Sequence, residues 1–399
     1  MTATQLLVVI AVLLIVAAVV EYALHQRALA RIRIRVHVNG TRGKSSVTRL
    51  IAAGLRESGI VTCAKTTGTL ARMILPNGHE VPVFRPAGAN VIEQKRIVAT
   101  AVAHGAEALI IECMALQPEL QAVSEFKLLR ATHAVITNAR PDHLDVMGPT
   151  AADVARALSG MIPPRARLFT AEQAELAVIE RAAEDRSCQL HAVGKGAVAA
   201  IDEATLSGFS YTEHADNVAL ALAVCEALGV ERGVALSGMQ KSRPDPGALT
   251  RHALDYFGRK IVFYNAFAAN DPISTRQLWE LAIRRTPGVS KRIAVFNCRS
   301  DRTDRSLLLG REFGAWSPAD HVVLIGTGTY LFARAATRAG FDGNRLVFAE
   351  ALDVHEIFER IIGLVEHSAL IMGMGNIGGH GLSLVRHFKN RAQPEGSEP

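Results

Sequence analysis

Cysteine is sparse in this chain of 399 residues, and no two cysteines form a Cys-x-x-Cys pair. The absence of that spacing excludes the common structural zinc motifs and the disulfide framework of a small secreted protein. Fixed-period repeats are absent as well. The cysteines are scattered and odd in number, which suits a reducing compartment: Cys63, Cys113, Cys188, Cys225 and Cys298. We therefore expect a folded body in the cytosol.

Charged residues make up only 21% of the chain, whereas apolar residues make up 49%. This composition excludes a mainly disordered or collagen-like protein, and the length is sufficient for two or three domains. The net charge of +6 is modest. It fits phosphate-rich or acidic ligands as well as nucleic acid, so the charge alone selects no ligand class.

The first twenty residues carry no charged side chain, and residues 6–20 form an unbroken aliphatic run. With its apolar neighbours, this run reaches the length of about 20 residues that spans a bilayer as a helix. A cleaved signal peptide would carry Lys or Arg before the run, and a buried core helix at the extreme terminus would not be apolar on all sides. The positive charges come after the run instead, at Arg27, Arg31, Arg33 and Arg35. The positive-inside rule then predicts a single-pass anchor in the cell membrane over residues 1–24, with the rest of the chain in the cytoplasm.

Beyond the anchor, short apolar segments alternate with longer segments of helical spacing. Residues 32–38 read IRIRVHV, which predicts a strand with one polar face. Such alternation predicts an α/β fold with largely parallel sheets. Residues 241–247 read KSRPDPG, and the two prolines and the glycine mark a domain boundary. The expected organisation is a central domain at 25–240, a smaller α/β C-terminal domain at 241–392 and a disordered tail at 393–399.

A glycine-rich segment lies directly between the predicted strand at 32–38 and a helical pattern. Glycines let backbone N–H groups turn toward phosphate oxygens, and the following helix points its positive end at them. Lys44 is expected to reach the outer phosphates, and the Ser45 hydroxyl to ligate magnesium. The full Walker pattern needs a glycine where this chain has Val38, so an ordinary glycine turn before a basic helix is the alternative. The residues expected to bind ATP here are Gly40, Thr41, Arg42, Gly43, Lys44, Ser45 and Ser46.

The shortened loop resembles that of the Mur ligase family, the ATP-dependent amide ligases of peptidoglycan and folate metabolism. Three further segments resemble family motifs in the same chain order: residues 110–112, 137–145 and 214–221. The resemblance implies that Glu112 binds magnesium, that His143 serves a second metal or its waters, and that Asn217 contacts adenine. Taken singly, Glu112 would be a solvated strand-end acid and His143 a loop histidine. The metal-binding interpretation therefore depends on their occurring together with the glycine-rich loop, in the chain order of the family.

The chain is more similar still to the membrane-anchored poly-γ-glutamate synthase branch of that family. Besides the anchor and the loop, the matching segments are residues 65–69, 112–115, 142–150, 244–248, 267–271, 297–302 and 373–377. The resemblance implies an ATP- and Mg²⁺-dependent amide ligase that polymerises glutamate through an acyl phosphate. It also implies small integral-membrane subunits of a polymer synthesis and export complex as partners, and no nucleic acid. Whether the chain forms a homo-oligomer stays open.

Candidate substrate contacts are less specific. The hydroxyl groups of Thr67 and Thr69 offer a carboxylate cradle near the magnesium site, and a plain polar turn is the alternative. Arg299 and Arg302 follow a predicted strand, where α/β sheets face their ligands. Arginine binds carboxylate bidentately, and a solvated ion-pair network is the alternative. The residues expected to take part in catalysis are Lys44, His143 and Arg302.

Two departures from the family pattern limit what can be carried over. In the segment NAFAANDPIS at residues 265–274, Ala269 stands where a histidine is common. Asn270 is our candidate ATP contact in that segment, with residues 265, 271 and 274 as alternatives. The chain also has no lysine between Lys127 and Lys195, so the carbamylated lysine that ligates magnesium in many family members is absent. An acidic residue or water must replace it.

Two other functions remain open from the sequence. One is a Mur-type or folylpolyglutamate-type ligase that acts on another amino acid or peptide. The other is a P-loop ATPase that powers a membrane assembly without forming a bond. ATP hydrolysis that requires an added amino acid separates the ligases from the ATPase.

Overall fold

The computed structural model describes residues 2–68, 70–85, 88–245, 249–269 and 271–392. These residues divide into two compact units, the first ending at Asp245. The division falls inside the segment 241–247 in which the sequence predicts a domain boundary. Three positions with predicted roles lie outside the described residues: Thr69, Asn270 and the tail 393–399.

The N-terminal helix α1 spans Ala3–Arg31 and is long and apolar enough to cross a membrane. Its most apolar 18-residue window has a mean hydropathy of 2.9, and none of that window is buried. Only the last turns pack against the first unit. There His25 Nε2 lies 2.8 Å from the backbone oxygen of Leu128, and Arg35 donates to the backbone oxygen of Leu29. The helix therefore continues past residue 24, and its last turns belong to the folded body.

The first unit is built on a mixed, largely parallel sheet. Its strands are β1 (Ile34–Asn39), β2 (Thr62–Lys65), β3 (Arg72–Ile74), β4 (Glu80–Pro82), β5 (Ala108–Glu112), β6 (His133–Ile136), β7 (Arg167–Thr170) and β8 (Gln189–Ala192). Within the described residues their order is β4-β3-β2-β5-β1-β6-β7-β8. Among the strands that the structure describes, only the β3–β4 hairpin at one edge adds antiparallel pairs. The other strands are parallel, so their carboxyl ends share one edge of the sheet.

Helices connect these strands and cover the sheet. They are α2 (Lys44–Glu57), α3 (Glu93–Ala103), α4 (Pro118–Val123), α5 (Leu144–Met147), α6 (Ala151–Ser159), α7 (Leu176–Asp185), α8 (Lys195–Ala199), α9 (Glu203–Ser207), α10 (Ala215–Ala227) and α11 (Arg232–Gln240). A π-helical segment at Ser124–Leu129 continues α4. Helix α10 is apolar on all sides and packs against α2 and α11, which explains why most of its residues are buried.

β1 lies at the centre of the sheet, between β5 and β6. The predicted strand is confirmed, but its predicted polar face is wrong, because both faces of a central parallel strand are covered. His37 is fully buried, and its Nδ1 lies 2.8 Å from the buried carboxylate of Glu125. Burial lowers the pKa of His37, but Cys113 and Glu125 raise it by more, to about 9. A buried pair of His37 and Glu125 therefore lies on the face of β1 that the sequence predicts to be polar.

The second unit is a separate α/β layer structure. Its strands are β9 (Thr250–Tyr256), β10 (Arg259–Asn265), β11 (Lys291–Cys298), β12 (His321–Gly326), β13 (Leu346–Glu350) and β14 (Ser368–Met374). Its helices are α12 (Pro272–Arg285), α13 (Thr303–Phe313), α14 (Thr329–Arg338), α15 (Val354–Ile362) and α16 (His380–Lys389). The strand order is β13-β12-β11-β14-β10-β9, and among the described residues only β9 pairs antiparallel to its neighbour. Apolar clusters cover the sheet, one with Trp279 and Phe332 and another with Phe358 and Phe388. Both units confirm the predicted fold class.

Candidate active site

The loop between β1 and α2, residues 40–46 with the first turn of the helix, is termed the phosphate loop below. The predicted strand–loop–helix context is confirmed. Gly40 and Gly43 have φ angles of 131° and 79°, which favour glycine. A Cβ atom built on Gly40 would lie 2.0 Å from Thr137 Oγ1, and one on Gly43 would lie 2.4 Å from Asn217 Oδ1. Glycine is thus required at both positions by the backbone and by the neighbouring side chains.

A second loop, which follows β6, holds the phosphate loop in shape. Asn138 Oδ1 accepts hydrogen bonds from the Thr41 hydroxyl at 2.7 Å and from the Arg42 backbone N–H at 3.1 Å. Asn138 Nδ2 donates to the Arg42 backbone oxygen at 3.1 Å, and the Thr137 hydroxyl donates to the same oxygen at 2.5 Å. Protein contacts therefore preform the phosphate loop, and a ligand need not order it.

Lys44 is the first residue of α2, and its ammonium group lies folded back over the phosphate loop. Its Nζ donates to the backbone oxygens of Gly40 at 2.6 Å and Thr41 at 3.4 Å. Ser46 lies partly buried in the same first turn. The first N–H groups of a helix have no partner within the helix and carry its partial positive charge. Lysine, glycines and helix N-terminus together form an arrangement of the kind that can bind phosphate oxygens.

Ser45, Glu112 and Thr67 converge at the carboxyl edge of the sheet, where β5 and β2 end. The Ser45 hydroxyl donates to Glu112 Oε2 at 2.9 Å, and the Thr67 backbone N–H donates to the same oxygen at 2.7 Å. Glu112 is only 3% exposed. A hydroxyl and a carboxylate are hard oxygen ligands, and Mg²⁺ uses one or two carboxylates with waters and substrate phosphates. The two residues predicted as metal ligands beside the phosphate loop therefore lie together and fit magnesium.

A buried ion-pair network fixes the strand end that leads to Thr67. Lys65 Nζ lies 2.7 Å from Glu93 Oε1, and Arg85 donates to both oxygens of the Glu93 carboxylate at 2.8 Å. Burial lowers the pKa of Lys65, and Glu93 opposes that effect. Burial alone would raise the pKa of Glu93, but Arg85 and Lys65 outweigh it and lower the pKa. The Glu93 carboxylate therefore stays charged and holds the end of β2 against α3.

Thr66 and Gln94, beside this network, are fully buried. The Thr66 hydroxyl and both polar side-chain atoms of Gln94 form no hydrogen bond with any other described residue. Each residue is the chain neighbour of a member of the Lys65–Glu93 pair. A buried polar group is costly unless water or a ligand satisfies it. Thr66 and Gln94 are therefore candidate ligand contacts. Thr66 lies in the segment 65–69 that the sequence analysis names, whereas sequence reasoning missed Gln94.

His143 lies in the loop after β6, where it has a φ of 49° and precedes the short helix α5. An ion pair of 3.5 Å between Arg42 and Asp142 joins that loop to the phosphate loop. In the part of the chain that the structure describes, no cluster of three or more His, Cys, Asp and Glu side chains is arranged to hold a metal. The metal role of His143 stays a prediction.

Asn217 lies in the first turn of α10, with only 8% of its surface exposed. Its Nδ2 donates to the Glu213 carboxylate at 2.8 Å, and its Oδ1 faces Gly43 of the phosphate loop. The tertiary fold thus joins two motifs that are 174 residues apart in the chain, counted from Gly43 to Asn217. The contact of Asn217 with adenine stays a prediction.

In the second unit, Arg299 and Arg302 follow β11, as expected. Arg299 donates to both carboxylate oxygens of Asp301, through Nε at 2.9 Å and Nη2 at 2.7 Å, and this lowers the pKa of Asp301. The guanidinium group thus already holds a carboxylate in the bidentate geometry expected for a substrate. Arg302 is exposed at the start of α13. The substrate and catalytic roles of these arginines stay predictions.

Two buried asparagine side chains support the loop after β11, which carries Arg299 and Arg302. Asn297 Nδ2 donates to the backbone oxygens of Asn376 at 2.6 Å and Gly378 at 2.8 Å. Asn376 Nδ2 in turn donates to the backbone oxygen of Asn297 at 2.9 Å. Both asparagines lie in segments that the sequence analysis names as resembling the family, 297–302 and 373–377, but it assigned neither side chain a role. A buried amide can satisfy backbone groups in this way because it both donates and accepts hydrogen bonds.

Two family models match the chain. The Mur ligase middle domain matches residues 38–225, and the C-terminal domain of the poly-gamma-glutamate synthase CapB matches residues 251–391. The capsule biosynthesis protein CapB of Bacillus anthracis is 38% identical over 376 residues, which cover 94% of this chain and 80% of that protein. The PGA synthase CapB of Bacillus subtilis (strain 168) is 34% identical over 382 residues, which cover 95% of this chain and 96% of that protein.

Solved structures of low sequence identity share the fold. Folylpolyglutamate synthase of Mycobacterium tuberculosis complexed with ADP has a TM-score of 0.70 at 16% identity, covering 94% of this chain and 95% of that one. MurF of Acinetobacter baumannii has a TM-score of 0.67 at 16% identity, covering 92% of this chain and 79% of that one. At such identities the likeness concerns the fold alone.

Proposed function

Because this chain belongs to the CapB family of poly-γ-glutamate synthases, with the central domain of a Mur ligase, we propose that it joins glutamate units at the expense of ATP through an acyl phosphate. The observation that carries this proposal is the preformed phosphate loop whose Ser45 hydroxyl lies 2.9 Å from the buried carboxylate of Glu112. A hydroxyl and a carboxylate placed together beside such a loop suit a magnesium–nucleotide complex, and a plain glycine turn would not need them.

The reaction requires activation, because an amide does not form from a free carboxylate in water. The γ-phosphoryl group of ATP passes to the terminal carboxylate of the growing polymer, and ADP leaves. The amine of the incoming glutamate then attacks the carbonyl carbon of the acyl phosphate, loses a proton, and releases inorganic phosphate. Carboxylate and triphosphate repel each other, so the protein has to supply positive charge and oriented dipoles.

The residues of the first unit divide this work. The backbone N–H groups of the phosphate loop and the ammonium of Lys44 bind the triphosphate. Ser45 and Glu112 hold magnesium, whose charge offsets that of the phosphates. Thr67, with the Thr66 hydroxyl that no described residue bonds, contacts the carboxylate that is to be activated. Asn217 orients the adenine end of the nucleotide.

The remaining predicted residues complete the proposal. His143 serves a second metal or its waters beside the acyl phosphate, and water takes the place of the missing carbamylated lysine. Arg302 and Asn270 of the C-terminal domain contact the nucleotide phosphates or the acyl phosphate. Arg299 exchanges its bond with Asp301 for a carboxylate of the polymer. Thr69 extends the cradle that Thr67 begins.

In this proposal α1 crosses the cell membrane as a single span, and both units lie in the cytoplasm. Its long apolar segment and the arginines that follow it support this orientation. A highly charged polymer made in the cytosol has to reach an exit. Small integral-membrane subunits of a synthesis and export complex are therefore the proposed partners, besides glutamate and the polymer itself.

The test follows ADP release and polymer formation together in membranes that contain the chain, with ATP, Mg²⁺ and one amino acid at a time. We expect ADP release and a high-mass product only with glutamate. ADP release without any amino acid would indicate an ATPase, and product with another amino acid would indicate a different ligase.

A lysine variant and its control connect this result to the phosphate loop. Lys44→Ala is expected to lose nearly all turnover while keeping its circular dichroism spectrum. Lys195→Ala, at an exposed lysine of α8, should keep full activity. Retained turnover in Lys44→Ala would refute the assignment of the loop.

A further inference from the structure

The direction of α1 relative to the central sheet decides which edge of the first unit faces the bilayer. The C-terminal end of α1 lies at the amino edge of the sheet, where β1 begins. Arg35, the second residue of β1, donates to the backbone oxygens of Leu29 at 3.3 Å and Ile32 at 2.5 Å. These contacts fix the end of the helix at the edge opposite to the phosphate loop.

Ten residues earlier, α1 lies level with the other edge. Glu21 pairs with Lys95 at 2.9 Å, and Lys95 lies in the first turn of α3. That turn is at the carboxyl edge, because Glu93 pairs with Lys65, the last residue of β2. α1 therefore runs antiparallel to the parallel strands, from the carboxyl edge toward the amino edge.

The lengths agree with this direction. Eleven residues of helix, from Glu21 to Ile32, rise about 16 Å. The five residues of β5 span about the same distance. The apolar residues 3–20 therefore project beyond the carboxyl edge of the sheet, the edge that carries Glu112 and the phosphate loop.

Four residues close to this exit point form what we term the interfacial surface: Phe84, Ile92, Lys95 and Arg96. Phe84 is 71% exposed and Ile92 is 58% exposed. Arg96 donates to the backbone oxygen of Phe84, and Lys95 pairs with Glu21 of α1, so the surface adjoins the membrane-spanning helix. Exposed aromatic and aliphatic side chains beside basic ones are typical of groups that lie among phospholipid headgroups.

We propose that the interfacial surface rests in the anionic headgroups of the cytoplasmic leaflet, so that the carboxyl edge of the sheet faces the bilayer. This inference rests on the proposed function only in taking α1 as a membrane span. It adds that the phosphate loop and Glu112 work on the membrane side of the first unit. The growing polymer is therefore activated on the side of the unit from which it has to leave the cell.

The opposite edge offers a competing basic surface, which makes the proposal testable. A cavity of about 770 Å³ lies there, lined by Arg33, Arg165 and Arg167, with no acidic side chain among its described lining residues. If charge alone oriented the unit, this edge would face anionic lipid. The direction of α1 assigns it to the cytosol instead.

The experiment compares a fluorescent label on each edge of the full-length chain in vesicles of phosphatidylcholine and phosphatidylglycerol. Ile92→Cys carries the label on the interfacial surface, and Gln189→Cys carries it beside the arginine cavity. The five native cysteines are buried, so the introduced thiols react selectively. With a quencher on the lipid headgroups, we expect several-fold stronger quenching at residue 92 than at residue 189. Vesicles of phosphatidylcholine alone should weaken the quenching at residue 92.

Equal quenching at the two positions, stronger quenching at residue 189, or no response to anionic lipid would overturn the inference. Flotation of the same samples separates this failure from that of the proposed function. If the chain floats with the vesicles but shows the wrong quenching pattern, the membrane anchor stands and only the proposed orientation is wrong. If the chain does not float, both the anchor and the orientation are wrong.

Discussion

Replacing Glu112 by glutamine tests the magnesium assignment most directly, because the variant keeps the shape of the side chain and removes its charge. The carboxylate accepts two hydrogen bonds on one oxygen, from Ser45 and from the backbone of Thr67. The amide oxygen of glutamine can accept both, so the local fold should persist.

The expected magnitudes follow from these contacts. A hydrogen bond to a charged acceptor contributes about 1.5–3 kcal/mol and one to a neutral acceptor about 0.5–1.5 kcal/mol, so the two bonds together lose about 2 kcal/mol. Removal of a buried charge offsets part of this loss. The free energy of unfolding should therefore fall by only about 1 kcal/mol. A lost electrostatic contact in the transition state costs about 3–4 kcal/mol, so kcat should fall by about 10²–10³-fold.

The assay measures glutamate-dependent ADP release across a magnesium titration, together with urea unfolding. Glu280→Gln is the matched control. The partly buried Glu280 also accepts one backbone N–H and one hydroxyl hydrogen bond, from Ser317 at 3.1 Å and 2.6 Å, but it lies in α12 of the second unit. The control should lose some stability and keep most of its turnover. If Glu112→Gln retains a third or more of the wild-type kcat, or loses no more activity than Glu280→Gln, the magnesium assignment is wrong.

Three further predictions concern other parts of the first unit. Gly43→Ala forces a non-glycine residue to a φ of 79°, at about 1–2 kcal/mol, and places Cβ against Asn217, so calorimetry should show lost ATP binding in a folded protein. Lys65→Met leaves the Glu93 carboxylate buried without its lysine, so urea unfolding should show that the free energy of unfolding falls by about 3–5 kcal/mol. The double variant Lys65→Met/Glu93→Gln should recover part of this loss. If the effects of the two substitutions simply add, Lys65 and Glu93 do not interact as an ion pair. The raised pKa of His37, about 9 against 6.5 in the unfolded chain, stabilises the fold below pH 6.5, and that stability is lost as the pH rises toward 9. The free energy of unfolding should fall over this range in the wild type and stay flatter in His37→Gln, and equal slopes would refute the assignment.

Much of the first unit could be predicted because its signals are local. The phosphate loop was found from glycines between a strand pattern and a helix pattern, and both φ angles and neighbouring contacts agree with it. Ser45 and Glu112 were predicted as magnesium ligands on two motifs, and the fold brings them to 2.9 Å. The polar residues that support the loop were not predicted. Asn138 acts through side-chain contacts to Thr41 and Arg42, and no spacing rule connects positions about 96 residues apart.

The sequence by itself determined the α/β class, the apolar N-terminal helix, the phosphate loop and the family, because hydrophobic period, charge-free length and glycine position act within short stretches of chain. Only the tertiary structure decided that His37 is buried beside Glu125, that Glu93 holds Lys65, and that α1 leaves the first unit at its carboxyl edge. Each of these depends on which strands and helices become neighbours. That choice is made by burial of apolar surface across the whole unit, so no local pattern records it.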